Sequence, residues 1–298
     1  MGEITVKKVL LIINPKSGKG MIRGNLVPIL DTFIKAEYDV NVYISQESGD
    51  ARRKAREDAG KFDLVICSGG DGTLDEVISG MMDSKACCPI GYIPAGSTND
   101  FANSLGLPKN MQAAAERLVE ENEFPCDIGC FNGDYFVYIA AFGLFTDVSY
   151  ETRQDVKNVL GHVAYILEGT KKLANIKSYH VTVEANENVI DGEFIYGMIT
   201  NSISVGGFKN ITGRNVQLDD GVFEVTLIRT PKNLVELQEI LAAVISMTPD
   251  DKHFYQFRSS SVKMTFQEEV PWTLDGEYGG SHEQVQIDNI GKAVKVLV

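Results

Sequence analysis

Three short segments rich in glycine and small polar residues each follow a run of aliphatic residues. They are Asn14-Pro15-Lys16-Ser17-Gly18-Lys19-Gly20, Ser68-Gly69-Gly70-Asp71-Gly72-Thr73 and Ala95-Gly96-Ser97-Thr98-Asn99-Asp100. Glycines after a parallel strand let backbone N–H groups approach a phosphate, and a helix that begins there adds partial positive charge. Any one segment is also compatible with an ordinary turn between a strand and a helix. The three together favour a site for a phosphorylated nucleotide.

Neither common nucleotide-binding fingerprint is complete in these segments. Gly18-x-Gly20 is followed by Arg23, and Gly70-x-Gly72 by Asp75, where the dinucleotide motif requires a third glycine. The P-loop pattern G-x-x-x-x-G-K-[ST] does not occur. The segments therefore predict phosphate binding without specifying the nucleotide.

The elements that position these segments alternate between strands and helices. Continuous apolar runs at residues 9–13, 40–44, 64–67 and 90–93 are typical of parallel strands buried on both faces. Helical patterns lie between them, over residues 26–36, 51–59 and 74–82. This order predicts a three-layer α/β domain that binds its ligand at the carboxyl ends of the strands.

The second half of the chain has a different pattern. Strands are predicted over residues 135–141, 179–184, 194–200, 223–228 and 262–266, and helices over 154–173 and 234–246. Strands with few crossover helices favour an antiparallel domain, and we expect a β-sandwich. We therefore predict an α/β protein with a nucleotide-binding domain over residues 1–128 and a β-rich domain over residues 129–298.

Composition limits the classes of partner. The chain has 28 Lys and Arg residues against 41 Asp and Glu residues, which gives a formal charge of −13. This charge disfavours binding to nucleic acid and repels an anionic membrane. Its five cysteines form no C-x-x-C pair, and its four histidines form no zinc motif. There is no signal-peptide pattern and no run of 18 apolar residues, so we expect a cytoplasmic protein.

Taken together, the motifs resemble the diacylglycerol kinase catalytic domain family, and within it the bacterial soluble lipid kinases. In order along the chain they are Asn14-Pro15-x-Ser17-Gly18, Gly69-Gly70-Asp71-Gly72-Thr73-Leu74-x-Glu76, Pro94-x-Gly96-x-x-Asn99-Asp100-Phe101-Ala102, Leu218-Asp219-Asp220-Gly221 and Asp275-Gly276-Glu277. NAD kinases and phosphofructokinases share the Gly-Gly-Asp-Gly-Thr segment. The first motif and the last two narrow the resemblance to lipid kinases.

The resemblance implies a set of site residues. The expected nucleotide contacts are Asn14, Pro15, Lys16, Ser17, Gly18, Ser45, Gly69, Gly70, Asp71, Gly72, Thr73, Leu74, Asp75, Glu76 and Ser97. Asp71 is expected to hold a catalytic Mg²⁺ on the phosphates of ATP, and Glu277 to act as general base after desolvation near Trp272 and Tyr278. A polar relay of Lys19, Asp100 and Asp127 is expected to support them. A structural Mg²⁺ is expected on the Asp220 carboxylate and the carbonyls of Gln217 and Val222, although an ordinary Asx turn also fits that segment.

The function that this implies is Mg²⁺-dependent transfer of the γ-phosphate of ATP to the free hydroxyl of a neutral lipid, with diacylglycerol giving phosphatidate. NAD kinase, a kinase of a sphingoid base, ceramide or monoacylglycerol, and a non-catalytic nucleotide or lipid binder remain as alternatives. Two clusters of basic residues, at 52, 53, 54 and 56 and at 171 and 172, have two interpretations. They either contact the inner membrane surface transiently or lie on helix faces exposed to solvent. A homodimer is compatible with the sequence, which does not fix the number of subunits.

Overall fold

The computed structural model describes residues 6–144, 146, 176–205, 208–209, 216–246 and 248–298. The predicted helix over residues 154–173, and with it Lys171 and Lys172, lies outside the described residues. The chain divides into two compact units. The first runs to Cys126 and takes in Lys292–Val298, and the second comprises Asp127–Gly291.

The first unit is built on a parallel sheet. Its strands are β1 (Lys7–Ile13), β2 (Tyr38–Ile44), β3 (Leu64–Gly69) and β4 (Ile90–Pro94). Its helices are α1 (Ile22–Lys35), α2 (Asp50–Asp58), α3 (Asp71–Ser84), α4 (Asp100–Leu105) and α5 (Met111–Leu118), with 3-10 turns at Ser17–Gly20 and Ala59–Lys61. β1 pairs with both β2 and β3, and β3 pairs with β4.

The last residues of the chain extend this sheet. Val296 pairs in parallel with Ile90 of β4, which explains why residues 292–298 belong to the first unit rather than to the domain predicted over 129–298. Side chains of α1 and α5, among them Phe33 and Leu118, share a buried cluster with the sheet. The parallel α/β pattern of the first third of the chain is therefore present.

One strand departs from its predicted environment. β2 was expected to be buried on both faces, but Val42 is 40% exposed and Ile44 is 44% exposed. Among the described strands β2 pairs only with β1, so it is an edge strand. Its apolar run reflects β propensity rather than burial.

The second unit consists mostly of antiparallel strands. They are β5 (Glu123–Phe131), which begins in the first unit, β6 (Asp134–Phe136), β7 (Ile139–Gly143), β8 (Tyr179–Ala185), β9 (Asn188–Thr200), β10 (Ser204–Val205), β11 (Phe208–Lys209), β12 (Phe223–Arg229), β13 (Phe254–Ser259), β14 (Ser261–Leu274) and β15 (Glu277–Leu297), which ends in the first unit. Helix α6 (Leu234–Ser246) matches the predicted 234–246. The protein is thus a mixed α/β protein with a majority of strands, while the three-layer and β-sandwich arrangements stay predictions.

The core of the second unit is rich in aromatic side chains. Trp272 is fully buried, and its ring lies 4.9 Å from that of Phe142 and 5.0 Å from that of Phe131, centroid to centroid. These spacings fall in the range in which aromatic pairs attract one another beyond their area burial. The β14–β15 hairpin that carries the Asp275-Gly276-Glu277 motif is anchored in this core.

Candidate active site

The three glycine-rich segments meet at the carboxyl ends of β1, β3 and β4. The Asn14 N–H donates to the Ser68 carbonyl over 2.9 Å, and the Ala95 N–H donates to the Gly69 carbonyl over 2.7 Å. The convergence expected from the order of elements is therefore present.

Two contacts between the segments leave room only for glycine. A Cβ on Gly18, which has a φ of +54°, would lie 1.9 Å from the Ala95 carbonyl oxygen. A Cβ on Gly96 would lie 2.7 Å from the Cα of Gly70. Both distances are too short for an alanine without displacement of the backbone, so these glycines allow the segments to approach one another.

Side chains of the first two segments tie them together. The Asn14 Nδ2 donates to Thr73 Oγ1 over 3.0 Å, and its Oδ1 accepts from the Lys16 N–H over 3.0 Å. Ser17 Oγ accepts from the Gly70 N–H over 3.3 Å. These side chains fix the shape of the loops that surround the expected phosphate position.

Asp71 connects the second segment to the third. It is the first residue of α3, and its carboxylate accepts from the Asp100 N–H over 3.1 Å and from the Phe101 N–H over 3.4 Å. Asp100 is only 2% exposed. The Asp71 carboxylate, at the first turn of α3, is therefore in contact with the backbone at Asp100.

Two residues that were not assigned to the site organise it. The buried Tyr92 hydroxyl lies 3.2 Å from both the Gly69 carbonyl and Asn99 Oδ1, and it donates to this pair. Asn99 Oδ1 also accepts from the Gly96 N–H over 2.9 Å, and Asn99 Nδ2 donates to the Gly96 carbonyl over 2.9 Å. A tyrosine inside a buried aliphatic strand beside a glycine loop was the only sequence signal for this contact.

Other predicted nucleotide residues have different surroundings. Ser45 is buried, and its Oγ donates to the Ile13 carbonyl over 3.2 Å. The Leu74 side chain is 1% exposed and belongs to the core. The Glu76 carboxylate accepts from the Gly49 and Ala51 N–H groups over 2.8 and 3.1 Å, so it holds the start of α2.

The remaining members of that set lie on the same segments. Ser79 Oγ is 3.4 Å from Asp75 Oδ1 within α3, and Ser97 is exposed on the third segment. Gly72 lies in the first turn of α3, and Pro15 lies beside Asn14. Lys19 lies in the 3-10 turn Ser17–Gly20, but its side chain is outside the described part of the structure.

Burial and nearby carboxylates act on two side chains of the strands that precede the glycine-rich segments, Tyr92 of β4 and Cys67 of β3. Burial raises the pKa of the Tyr92 hydroxyl well above its usual range, and the nearby charges of Asp71 and Asp100 raise it further. Burial, Glu76 and Asp71 likewise raise the pKa of the Cys67 thiol. A carboxylate such as that of Asp71 is a hard oxygen ligand of the kind that suits Mg²⁺. Within the described ranges no group of three or more His, Cys, Asp or Glu side chains could hold a metal.

The Asp275-Gly276-Glu277 motif forms the turn between β14 and β15. Leu274 pairs with Glu277 across a two-residue loop in which Asp275 and Gly276 have φ values of +49° and +86°, as a type I′ hairpin requires. The buried Asp275 carboxylate accepts from the Val137, Tyr138 and Ile139 N–H groups over 2.5, 3.0 and 2.9 Å.

Glu277 itself is exposed at the start of β15. Trp272 is fully buried in the core, and Tyr278 is 59% exposed. The enclosure of Glu277 against these two rings, which the sequence led us to expect, is therefore not seen among the described residues.

Asp127 supports the segment around Asp220 in the second unit. The fully buried Asp127 carboxylate accepts from the Gly221 N–H over 2.6 Å, and its own N–H donates to the Leu218 carbonyl over 2.8 Å. Asp127 and Asp100 belong to different units. Asp127 thus contacts the predicted metal segment through Gly221 and Leu218.

The Asp220 carboxylate forms an ion pair with Arg258, and its Oδ1 accepts from the Val222 N–H over 3.3 Å. Gln217 is exposed beside it. Arg258 also donates from Nε to Glu224 Oε1 over 3.2 Å. Burial raises the pKa of Glu224 to about 7, with Arg258 opposing and Asp220 adding to the shift. The Asp220 carboxylate is a hard oxygen ligand of the kind that Mg²⁺ prefers, and Arg258 already pairs with it.

Three of the four basic residues of α2 pair with acidic side chains. Arg52 pairs with Asp83 over 2.9 Å, and Lys54 pairs with Asp58 over 2.5 Å. Arg53 pairs with Asp50. These contacts favour a solvated helix face over a basic membrane patch. In the described helices, none has both the length and the hydropathy of a membrane span.

The diacylglycerol kinase catalytic domain family matches residues 8–131. The diacylglycerol kinase of Bacillus subtilis is 34% identical over 278 residues, which cover 92% of this chain and 91% of the relative. The enzyme of the same name from Staphylococcus carnosus is 34% identical over 281 residues, covering 92% of this chain and 90% of the relative.

A comparison with solved structures also finds a protein that carries the diacylglycerol kinase name. A Bacillus anthracis protein that carries the diacylglycerol kinase name has a TM-score of 0.83 at 28% identity, with 100% of this chain and 97% of that chain covered. Because a relative above 30% identity matches nearly the whole chain, the protein belongs to the diacylglycerol kinase family.

Proposed function

We propose that this protein transfers the γ-phosphate of ATP to the free hydroxyl of diacylglycerol and so forms phosphatidate. The observation that carries the proposal is the closure of three glycine-rich segments around Asp71 in a chain of the diacylglycerol kinase family. The choice of lipid rests on the name that the relatives share.

In this proposal the two parts of the chain have separate roles. The domain predicted over residues 1–128 binds ATP, and the β-rich domain over residues 129–298 binds the lipid. Backbone N–H groups of the glycine segments hold the phosphates, since phosphoryl transfer depends mainly on positioning and charge stabilisation. Asn14, Ser17 and Thr73 keep the segments in the shape that this requires.

Two cation sites belong to the proposal. Asp71 is the residue that would hold a catalytic Mg²⁺, which neutralises charge on the β- and γ-phosphates when bound. Asp220, with the carbonyls of Gln217 and Val222, would hold a structural Mg²⁺. The hard oxygen donors at both places suit this ion.

Glu277 is the proposed general base. Its carboxylate takes the proton of the lipid hydroxyl as that oxygen attacks the γ-phosphorus, while the bond from the γ-phosphorus to the bridging oxygen breaks and ADP leaves with the electron pair. The turn that Asp275 anchors fixes the position of Glu277 along the hairpin. Lys19, Asp100 and Asp127 are proposed as the supporting polar relay.

We further propose that the protein is cytoplasmic and contacts the inner membrane surface transiently to reach its lipid. A homodimer is compatible with this role. The compensated charges of α2 support weak rather than tight association.

The test is phosphorylation by the purified protein with labelled ATP and separate acceptors. The panel contains diacylglycerol, monoacylglycerol, ceramide, sphingosine, undecaprenol and NAD. Preferential labelling of diacylglycerol is expected. Labelling of NAD alone would overturn the lipid kinase proposal, and preferential labelling of another lipid would overturn the choice of substrate.

A further inference from the structure

One guanidinium in the second unit is shared by two carboxylates. Arg258 on β13 forms an ion pair with Asp220 through Nη2 and donates from Nε to Glu224 Oε1 over 3.2 Å. Glu224 stands directly opposite Arg258 in the register of β12 and β13. The pair with Glu224 is therefore fixed by the sheet, whereas Asp220 lies in the turn that precedes β12.

The two carboxylates differ in their exposure, and one of them has an oxygen without a hydrogen-bond partner among the described residues. The Arg258 side chain is 49% exposed, that of Asp220 is 19% exposed, and that of Glu224 is 7% exposed. Glu224 Oε2 is buried and has no hydrogen-bond partner among the described residues. A guanidinium can bind both oxygens of a carboxylate at once. Arg258 donates only to Oε1 of Glu224, so Oε2 remains as a second acceptor for it.

A divalent cation on Asp220 would change this arrangement. The ion and the guanidinium need the same carboxylate, and two cations at that distance repel each other. The exposed Arg258 side chain has room to leave Asp220, and Glu224, to which it already donates, is a carboxyl group that can receive it.

We propose that Arg258 competes with Mg²⁺ for the Asp220 carboxylate, and that Glu224 takes up the guanidinium when Mg²⁺ displaces it. This inference rests on the structural Mg²⁺ site of the proposed function. Arg258 neutralises the Asp220 segment without the metal, and it lowers the affinity of the segment for Mg²⁺.

The first test is isothermal titration of Mg²⁺ into the full-length protein without nucleotide. Arg258→Met is expected to tighten binding about two- to fivefold, since a competing ion pair is lost. Lys263→Met is the matched control, because Lys263 pairs with Glu184 over 2.7 Å on another part of the same unit and is similarly exposed. Its affinity should be unchanged. Asp220→Asn should remove the same binding event and so assign it to this site.

A second pair of variants separates the proposed relay from a general effect of charge. Glu224→Gln should weaken Mg²⁺ binding in the wild-type background, because Arg258 loses its alternative anion. In the Arg258→Met background the same change should have no effect. An equal loss of Mg²⁺ affinity in both backgrounds would mean that Glu224 acts only through the electrostatic effect of its charge. That result would overturn its role as the group that receives the Arg258 guanidinium.

The wild-type protein provides a test that does not depend on the folding of variants. A crystal structure at saturating Mg²⁺ should show the Arg258 guanidinium on both Glu224 oxygens and away from Asp220. Mg²⁺ bound at Asp220 with Arg258 still paired there would overturn the inference and leave the metal site intact. Absence of any Asp220-dependent Mg²⁺ binding would overturn both, while lipid phosphorylation is scored separately by the acceptor panel.

Discussion

The role proposed for Glu277 depends on one exposed carboxylate at the start of β15. Glu277→Gln keeps the size of the side chain but removes its basicity. We expect turnover to fall by about 10²- to 10⁴-fold, the usual contribution of a general base. ATP affinity should be unchanged, because the proposed phosphate-binding groups lie in the first unit. Steady-state kinetics and ATP titration measure the two quantities.

The control for this variant is Glu283→Gln, which removes an exposed carboxylate from the same strand. It should leave turnover as in the wild type. If Glu277→Gln also retained turnover, Glu277 would have no role as base. It would then be only an exposed residue at the turn between β14 and β15.

Asp275 determines where the Glu277 turn lies, because its carboxylate accepts three backbone N–H groups. Asp275→Asn tolerates the positive φ but replaces one acceptor oxygen by a donor group. We expect the free energy of unfolding to fall by about 1–3 kcal/mol, the usual cost of leaving buried polar groups unpaired. Turnover should also fall. Urea denaturation measures the first effect, with the exposed Asp134→Asn as a control that should show neither.

At the scale of elements, the nucleotide site depends on how closely the segments after β3 and β4 approach. A Cβ on Gly96 would lie 2.7 Å from both Gly70 Cα and Asn99 Oδ1. We therefore expect Gly96→Ala to weaken ATP binding about tenfold, which corresponds to about 1.4 kcal/mol. Titration of ATP into the variant measures this change.

Gly24→Ala is the matched control, because nothing lies within 4 Å of a Cβ built on Gly24 in helix α1. It should leave ATP affinity unchanged and stabilise the helix by up to about 1 kcal/mol. Unchanged ATP affinity in Gly96→Ala would show that the approach of the two segments is not needed for binding.

The first residue of α2 predicts a specific dependence on pH. The Gln46 N–H donates to the Asp50 carboxylate over 2.9 Å and lowers its pKa, burial opposes this, and the Tyr43 hydroxyl and Arg53 lower it further. A carboxyl whose pKa is lowered by folding stabilises the protein above its unfolded pKa, and this contribution is lost as the pH falls through the folded value.

Asp50→Asn should therefore destabilise the protein at pH 7, and the difference from the wild type should shrink as the pH falls below about 4. Denaturation at several pH values measures this difference in the free energy of unfolding. Asp31→Asn removes an exposed partner of Lys35 and should have little effect at any pH. A difference for Asp50→Asn that does not change with pH would contradict the assigned cause.

The limits of sequence-based prediction are visible in particular elements. Helix α6 and the parallel strands of the first unit follow from local periodicity, so their positions were predictable. The strand expected over residues 135–141 is divided into β6 and β7, because Asp275 takes the N–H groups of Val137 and Tyr138. The Tyr92 and Asn99 contacts could not be predicted for the same reason, since they depend on where distant segments meet.

For the whole molecule, the charge of −13 raises the question of how the protein reaches a lipid. The clustered basic residues of α2 do not provide a strong answer, because three of them have acidic partners. The net field of the protein then acts against an anionic surface, while the proposed substrate is neutral. Membrane contact should therefore depend on apolar contact with the lipid rather than on attraction to anionic headgroups.

This view predicts how vesicle composition and salt change binding. In co-sedimentation at low salt, binding to phosphatidylcholine vesicles should exceed binding to vesicles that contain phosphatidylglycerol, because the protein and the anionic surface repel each other. The difference should shrink at 1 M salt, where the screening length falls to about 3 Å from about 10 Å at 0.1 M. Stronger binding to the anionic vesicles would instead establish a local basic contact. Charge reversal at Arg56 of α2 would then test whether that contact lies on this helix.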